Sequence, residues 1–212
     1  MKKFSFTDCI EIKELTGKRA EDEARLLELI EEAPADAIYY HTHSYFLRHF
    51  YISGPYCNDF ANWTAVQVRD KVLGEKLSSI TPSPQNGIED VRNELIEIID
   101  SHLSTLKRVP GVTYGQPFHL MKSRIIEVPT RLSVKSLKEF RDGLAVVDAS
   151  AIYNHIFEAR LRVRRGKSDF AIWIEDVLGM NELADRIERI DAYMYSLEGL
   201  RTRILALCDA YL

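Results

Sequence analysis

The chain has 212 residues, 46% of them hydrophobic, and its 28 basic and 32 acidic side chains give a formal net charge of −4. This composition supports a full core without crosslinks. The near balance of charge disfavours nucleic acid and anionic membranes as partners. No apolar stretch approaches the roughly 20 residues that a membrane span requires.

The cysteines and the first residues indicate a cytoplasmic protein. Cys9, Cys57 and Cys208 are odd in number and far apart, which argues against a disulfide framework or a structural zinc site. The segment from Phe4 to Lys13 alternates polar and apolar residues, unlike a signal peptide.

The first predicted element is a strand or extended arm from Lys3 to Lys13, because its alternation has the period of a strand. An amphipathic helix is predicted next, near Glu21 to Glu32. A central helix then runs from about Ala35 to Tyr51 and carries the richest chemistry.

A third helix begins at Asn58 or Asp59, since both residue types cap first-turn amides. Gly74 is predicted to end it. A long amphipathic helix from roughly Gly87 to Leu106 follows. The segment 109–117, with two prolines and two glycines, predicts a linker.

The second half repeats this order of elements, and Ser136-Leu-Lys-Glu139 has the pattern of a capping box. Its predicted elements are a strand from Phe118 to Val128 and helices near Ser136 to Val146, near Ala149 to Arg165, from Ser168 or Asp169 to Gly179, and from Ser196 to Tyr211.

The two halves also match in sequence. An offset of 114 residues aligns Ala35–Arg48 with Ala149–Arg162, and seven of those fourteen positions are identical. Matches near the ends of the halves include Val72-Leu-Gly74 with Val177-Leu-Gly179, and Glu89 and Arg92 with Glu198 and Arg201. Two copies are fewer than a solenoid usually needs, which favours a closed pair.

The predicted fold is therefore mainly α, an internally duplicated helical bundle. Each of its two units has about four helices preceded by a short extended or β segment, and a pseudo-twofold axis relates them. The predicted boundaries are a first repeat at 1–108, a linker at 109–117 and a second repeat at 118–212. One compact domain overall is expected.

Both central helices carry a histidine and an arginine on an apolar face, followed by an aspartate at the start of the next helix. This pattern has two interpretations: a pocket for an anionic ligand, or a buried hydrogen-bonded network. The sets are His41, Arg48 and Asp59 in the first copy, and His155, Arg162 and Asp169 in the second.

A metal site is a weaker hypothesis, with His41, His43, His155 and Glu158 as candidate ligands. His155-x-x-Glu158 reverses the Glu-x-x-His order of four-helix di-iron proteins and occurs in one copy only. No metal or cofactor is predicted.

The two copies also differ in their aromatic and basic residues. The first copy is rich in tyrosine, and with Arg48 its Tyr40 and Tyr45 are candidates for lining a sugar-binding groove. The second copy has five positive charges between Arg160 and Lys167, a pattern of anion-binding surfaces and also of solvated helix ends.

Several short segments along nearly the whole chain resemble a prokaryotic family catalogued as domain of unknown function 5752. They are Asp8-Cys9, Leu15-Thr-Gly17, Ile38-Tyr-Tyr-His-Thr-His-Ser44, Gly54-Pro55-Tyr56, Asn58-Asp-Phe60 and Trp63. The resemblance implies a cytoplasmic stand-alone protein and brings no catalytic residue.

The leading functional hypothesis is a non-enzymatic binding or scaffold protein that forms a homodimer through an apolar helix face. The alternatives are a metal-binding protein or enzyme with a His/Asp/Arg pocket between the repeats, and a protein that binds a small anionic or sugar ligand.

Overall fold

A computed structural model of the chain describes residues 2–49, 55–80, 87–162 and 166–212, with the backbone alone at 161 and 162. Helices dominate, with a two-stranded sheet beside them, so the predicted mainly α class is confirmed. None of the helices within these ranges combines the length and the apolar character that crossing a membrane demands.

The helices in chain order are α1 Glu23–Glu32, α2 Ala35–Thr42, α3 Tyr45–Arg48, α4 Asp59–Trp63, α5 Lys71–Ser78, α6 Ile88–Ser104, α7 Leu137–Val146, α8 Ala149–Tyr153, α9 Ala159–Arg162, α10 Asp169–Leu178, α11 Asn181–Glu188 and α12 Leu197–Asp209. Two π-helical turns, Thr64–Val68 and Asn154–Glu158, continue α4 and join α8 to α9. A short 3₁₀ turn, Ala192–Met194, precedes α12.

The two predicted extended segments are strands, β1 Phe4–Ala20 and β2 Phe118–Val134, and both are longer than predicted. They pair with each other. The pairing is antiparallel, because contacts descend along β2 as they ascend along β1. The hydroxyls of Ser5 and Ser133 are 3.2 Å apart, Glu14 pairs with Lys122, and Thr16 Oγ1 donates to the Leu120 carbonyl.

The described residues form two compact units. The first unit contains residues 11–45, 55–80 and 87–124, and the second contains 2–10, 46–49, 125–162 and 166–212. Each unit therefore includes part of both strands. The sequence-based boundaries at 108 and 118 follow the repeat, and whether they delimit independent domains stays a prediction.

The core of the first unit is mainly aliphatic. Leu26, Ile38, Leu73, Leu95 and Ile99 are fully buried there. They come from helices whose apolar residues recur at helical spacing, so one face of each helix is covered by its neighbours.

The core of the second unit is mainly aromatic. The Phe4 and Phe6 rings of β1 pack on Phe140 of α7 and Phe170 of α10, with ring centroids 5.6 to 6.2 Å apart. The N-terminal strand segment is therefore part of this core.

Three helices begin at the capping residues that the sequence predicts. Asn58 Oδ1 accepts from the Ala61 amide at 2.8 Å, and Ser168 Oγ accepts from the Ala171 amide at 3.3 Å. Ser136 Oγ likewise accepts from the Glu139 amide. Each cap satisfies an amide that has no partner within the helix.

The first central helix is shorter than predicted. It was expected from about Ala35 to Tyr51, but α2 ends at Thr42 and α3 covers Tyr45–Arg48. The Thr42 hydroxyl donates to the Ile38 carbonyl and the Ser44 hydroxyl to the Tyr40 carbonyl. Such back-bonding competes with the helical hydrogen bonds of the backbone. Tyr51 lies outside the described residues.

The predicted helix stop at Gly74 is wrong. Gly179 does end α10 with a left-handed φ of 68°, but the matching left-handed residue in the first copy is Arg69, with φ 70°. Gly74 lies inside α5, where the backbone passes close to Ala65. It is required for packing and does not terminate a helix.

Replacement of Gly74 by alanine is expected to destabilise the protein by about 1–3 kcal/mol, because the new methyl would overpack this contact. A Cβ atom at Gly74 would lie 2.6 Å from the Ala65 Cβ and 3.1 Å from the Ala61 carbonyl oxygen. Urea unfolding measures the change. The matched control is Gly199→Ala in α12, where the nearest atom is 3.3 Å away, and an equal loss in that variant would contradict the packing argument.

Candidate functional site

His41 joins a helix to a strand within the first unit. Its Nδ1 lies 2.8 Å from Asp59 Oδ2 at the start of α4, and its Nε2 accepts from the Met121 amide of β2 at 3.0 Å. Because Nε2 is an acceptor, the ring proton sits on Nδ1 and points at the carboxylate. Both ring nitrogens of this buried histidine are therefore engaged.

His155 makes the same pair of contacts in the second unit. Its Nδ1 lies 2.8 Å from Asp169 Oδ2, and its Nε2 accepts from the Thr7 amide of β1 at 2.9 Å. Asn154 Nδ2 donates to the Thr7 carbonyl at 3.0 Å. Two neighbouring side chains of one π-helical turn thus bind both the amide and the carbonyl of Thr7.

The structure brings together the histidine and the aspartate of each predicted set. Arg48 is half-buried at the end of α3. The side chain of Arg162 lies outside the described residues. Glu158 lies in the π-helical turn, where burial raises its pKa to about 7.

The other candidates of the first copy are buried. His43 Nδ1 lies 2.9 Å from Thr42 Oγ1, its ring stacks on Tyr39, and burial lowers its pKa to about 4. Tyr40 meets the His41 ring edge-on, 4.8 Å between centroids, and Tyr45 is also buried. These positions favour packing over the lining of an open groove.

The basic run of the second copy is partly neutralised. Arg160 pairs with Glu188 at 2.6 Å, and the same carboxylate accepts from the Ser168 hydroxyl. Lys167 pairs with Glu175 at 2.6 Å. The positive charges of Arg160 and Lys167 therefore take part in ion pairs within the protein.

A different cluster stands out in the first unit. Ligand atoms of Glu23, Asp70 and His102 all lie within 4.8 Å of one another, and among the described residues this is the group suited to share a metal ion. His102 Nε2 is 2.9 Å from Asp70 Oδ2, while both carboxylate oxygens of Glu23 are buried without a hydrogen-bond partner. Burial, together with the charges of Asp70 and Asp22, raises the pKa of Glu23 to about 8.

Asp70 is held in its charged form by neighbours. Burial acts to raise its pKa, but hydrogen bonds from the Leu73 amide and from His102 outweigh burial and leave it below the usual value. Asp70 also caps α5 through Oδ1, which leaves Oδ2 directed at His102.

A groove of about 770 Å³ lies between α11 and α12 in the second unit. It is lined by Arg186, Arg189 and Arg203, with Tyr195 and Asp191 among the other lining residues. The Arg203 guanidinium lies over the Tyr195 ring, 4.0 Å from its centroid. No ion pair within the described part of the chain engages the three guanidinium groups.

Comparison with known proteins places the chain in a family. The model of the family of unknown function DUF5752 matches residues 1–209. The chain belongs to this family. No curated protein matches it. A solved structure, that of OrfY from Thermoproteus tenax, is similar at 26% identity with a TM-score of 0.77, over 99% of this chain and 95% of that one.

The cysteines of this DUF5752 protein are unsuited to nucleophilic chemistry. Cys9 and Cys208 are buried, and burial raises the pKa of Cys208 to about 12. Burial also raises the pKa of Cys57, whose Sγ donates to the Ser78 carbonyl. A thiolate at neutral pH is disfavoured at Cys57 and Cys208.

Sequence reasoning on this DUF5752 chain missed the Glu23 cluster and the arginine groove. Glu23, Asp70 and His102 lie far apart in the chain, whereas the groove residues come from the neighbouring helices α11 and α12 and the segment between them. Neither set belongs to a motif. The available signal was the difference between the copies, since Glu23 aligns with Leu137 and His102 with Tyr211 under the offsets of 114 and 109 residues.

Proposed function

We propose that the protein is a non-enzymatic binding protein that takes a small phosphate-bearing ligand in the groove between α11 and α12. The observation that carries this proposal is the convergence on one groove of three arginines that have no ion pair among the described residues, Arg186, Arg189 and Arg203. Guanidinium groups suit phosphate because their planar donors bind its oxygens two at a time.

The groove is suited to a ligand in size and in preorganisation. Pockets for small molecules commonly measure roughly 300–1,000 Å³, and this groove is within that range. Arg203 is stacked on Tyr195, and Arg186 lies against Tyr211, with Nη1 3.5 Å from the phenol oxygen. Aromatic support limits the rotamer freedom that each arginine loses on binding.

The first copy reproduces only one of these three positive charges. Its helix α5 aligns with α11, so Lys76 and Ser79 correspond to Arg186 and Arg189, and Glu94 of α6 corresponds to Arg203. The fold therefore does not require arginines at these positions. This difference supports a role in binding.

Arg203→Ala is expected to weaken binding of a phosphorylated ligand by about 10- to 100-fold, the loss of one charge-assisted contact. A panel of sugar phosphates and nucleotides, with the matching unphosphorylated sugars, is screened by melting shift and the best ligand is titrated calorimetrically. Arg124→Ala, at an exposed arginine of β2, is the matched control. Flat curves across the panel, or equal affinity in Arg203→Ala, would refute the proposal.

The alternative of an enzyme or metal protein built on His41, His155 and their aspartates is less favoured. Each imidazole already bonds a carboxylate and a strand amide, which supports a structural role. Neither ring nitrogen is left for a substrate or an ion.

We also propose that the two halves of the chain arose by tandem duplication. Two pairs of equivalent contacts support it: the Trp63 and Trp173 indoles donate to the carbonyls of Gln116 and Lys2, and Arg92 and Arg201 donate to those of Ile30 and Leu144. The pseudo-twofold arrangement, a cytoplasmic location and self-association as a homodimer remain predictions.

A further inference from the structure

We propose that Glu23, Asp70 and His102 bind one divalent transition-metal ion, for which Zn²⁺ is the first probe. This site lies in the first unit and is independent of the arginine groove. Its three residues come from three elements: Glu23 opens α1, Asp70 caps α5, and His102 lies in the last turn of α6.

The first argument is the state of Glu23. It is 0% exposed, and neither carboxylate oxygen has a hydrogen-bond partner among the residues that the structure describes. An isolated buried carboxylate is costly in a folded protein unless it is paired or coordinates a metal. The carboxylate lies within 4.8 Å of ligand atoms of Asp70 and His102, so a cation there would satisfy it.

The second argument is charge and geometry. With Glu23 deprotonated, as a metal ligand must be, two carboxylates and one neutral imidazole carry a charge of about −2, which a divalent ion neutralises. Zn²⁺ with bonds near 2.0–2.2 Å places neighbouring ligand atoms about 3.4 Å apart. The 2.9 Å between His102 Nε2 and Asp70 Oδ2 must open slightly. The Glu23 carboxylate must move inward, and it has no hydrogen bond to break.

The third argument is the comparison of the two copies. Under the alignment of the helices, Glu23, Asp70 and His102 correspond to Leu137, Met180 and Tyr211. Leu137 is buried at the start of α7, and Met180 occupies the cap position of α11. The fold thus forms without the three ligand types, and their joint presence in the first copy indicates a shared task.

Three protein ligands leave one tetrahedral position for water or an external ligand. The Asp70 side chain is 16% exposed and that of His102 7%, so the open position is expected on the Asp70 side. Coordination through Nε2 of His102 places the ring proton on Nδ1, the tautomer that leaves Nε2 free to bind the ion.

The test uses untagged, full-length protein stripped with EDTA and dialysed against Zn²⁺, with metal content measured per chain. Wild type is expected to bind one equivalent and to melt about 5–10 °C higher at a Zn²⁺ concentration 100-fold above Kd. Glu23→Leu, which copies Leu137, is expected to bind no stoichiometric zinc. It should melt above wild type in EDTA, because the unpaired carboxylate is gone.

Glu23→Gln keeps the shape of the side chain, so it tests the site even if Glu23→Leu fails to fold. This variant is expected to bind Zn²⁺ at least about tenfold more weakly than wild type. Glu31→Leu removes an exposed carboxylate from the same helix and is expected to behave as wild type. Stripped protein is also dialysed against Mn²⁺ and against Fe²⁺; uptake of one equivalent of either ion, lost in Glu23→Gln, would uphold the site with a different ion. Absence of stoichiometric metal in wild type, or unchanged uptake in both Glu23 variants, would overturn the proposal.

Discussion

Replacement of His155 by alanine is expected to lower the free energy of unfolding by about 3–5 kcal/mol, a large fraction of the stability of an ordinary domain. The substitution removes the acceptor of the Thr7 amide and the hydrogen bond between His155 and Asp169. It also removes a ring that packs on Phe4 and Phe170, with centroids 4.8 and 5.3 Å away. Chemical denaturation measures the loss.

His119→Ala is the matched control, because His119 is an exposed histidine of β2, and its effect should stay within about 0.5 kcal/mol. A double-mutant cycle of His155→Ala with Asp169→Asn isolates the coupling between the two side chains. A loss below about 1 kcal/mol for His155→Ala would contradict the structural role assigned to the bridge.

Acidification from pH 7 to pH 4.5 is expected to cost the wild-type protein about 2 kcal/mol of unfolding free energy through His43 alone. Burial lowers the pKa of His43 from its ordinary value of 6.5 to about 4 in the folded protein. Between these values the unfolded chain binds a proton that the folded chain does not. The stabilisation is therefore complete above pH 6.5 and is lost as the pH falls toward 4.

His43→Phe removes this titration, and Phe157 already occupies the aligned position of the second copy. The variant and wild type are unfolded in urea at pH 7 and pH 4.5, so that contributions from other groups, such as Glu158, cancel in the difference. His43→Gln serves as the smaller, non-titrating alternative. Parallel loss of stability in wild type and both variants would show that His43 does not titrate as expected.

Local signals in the sequence predicted much of the fold. Capping residues such as Asn58, Ser136 and Ser168 marked helix starts, because a cap depends on atoms only three residues apart. The alternation at Phe4 and Phe118 predicted strands, although their full length did not show in the pattern. The Gly74 prediction failed because a glycine that ends a helix and one that allows close packing look alike in sequence.

The sites were harder to predict than the elements. His41 and Asp59 lie 2.8 Å apart, a contact between the end of α2 and the start of α4, and both residues recur in the second copy. Glu23 and His102 meet only through tertiary packing of α1 against α6, and no periodicity encodes such a meeting. Arg186 and Arg203 belong to no sequence motif, and the groove between their helices exists only in the folded chain.

The place of Phe4 and Phe6 has a consequence for the order of events during synthesis. These two rings leave the ribosome well before their partners Phe140 and Phe170, which are translated more than a hundred residues later. The second unit can close its aromatic core only after most of the chain has emerged, and contacts so distant in sequence form slowly. A fragment starting at Phe118 would lack both rings. Produced alone, without the residues before the 109–117 connection, it should therefore have an unfilled core.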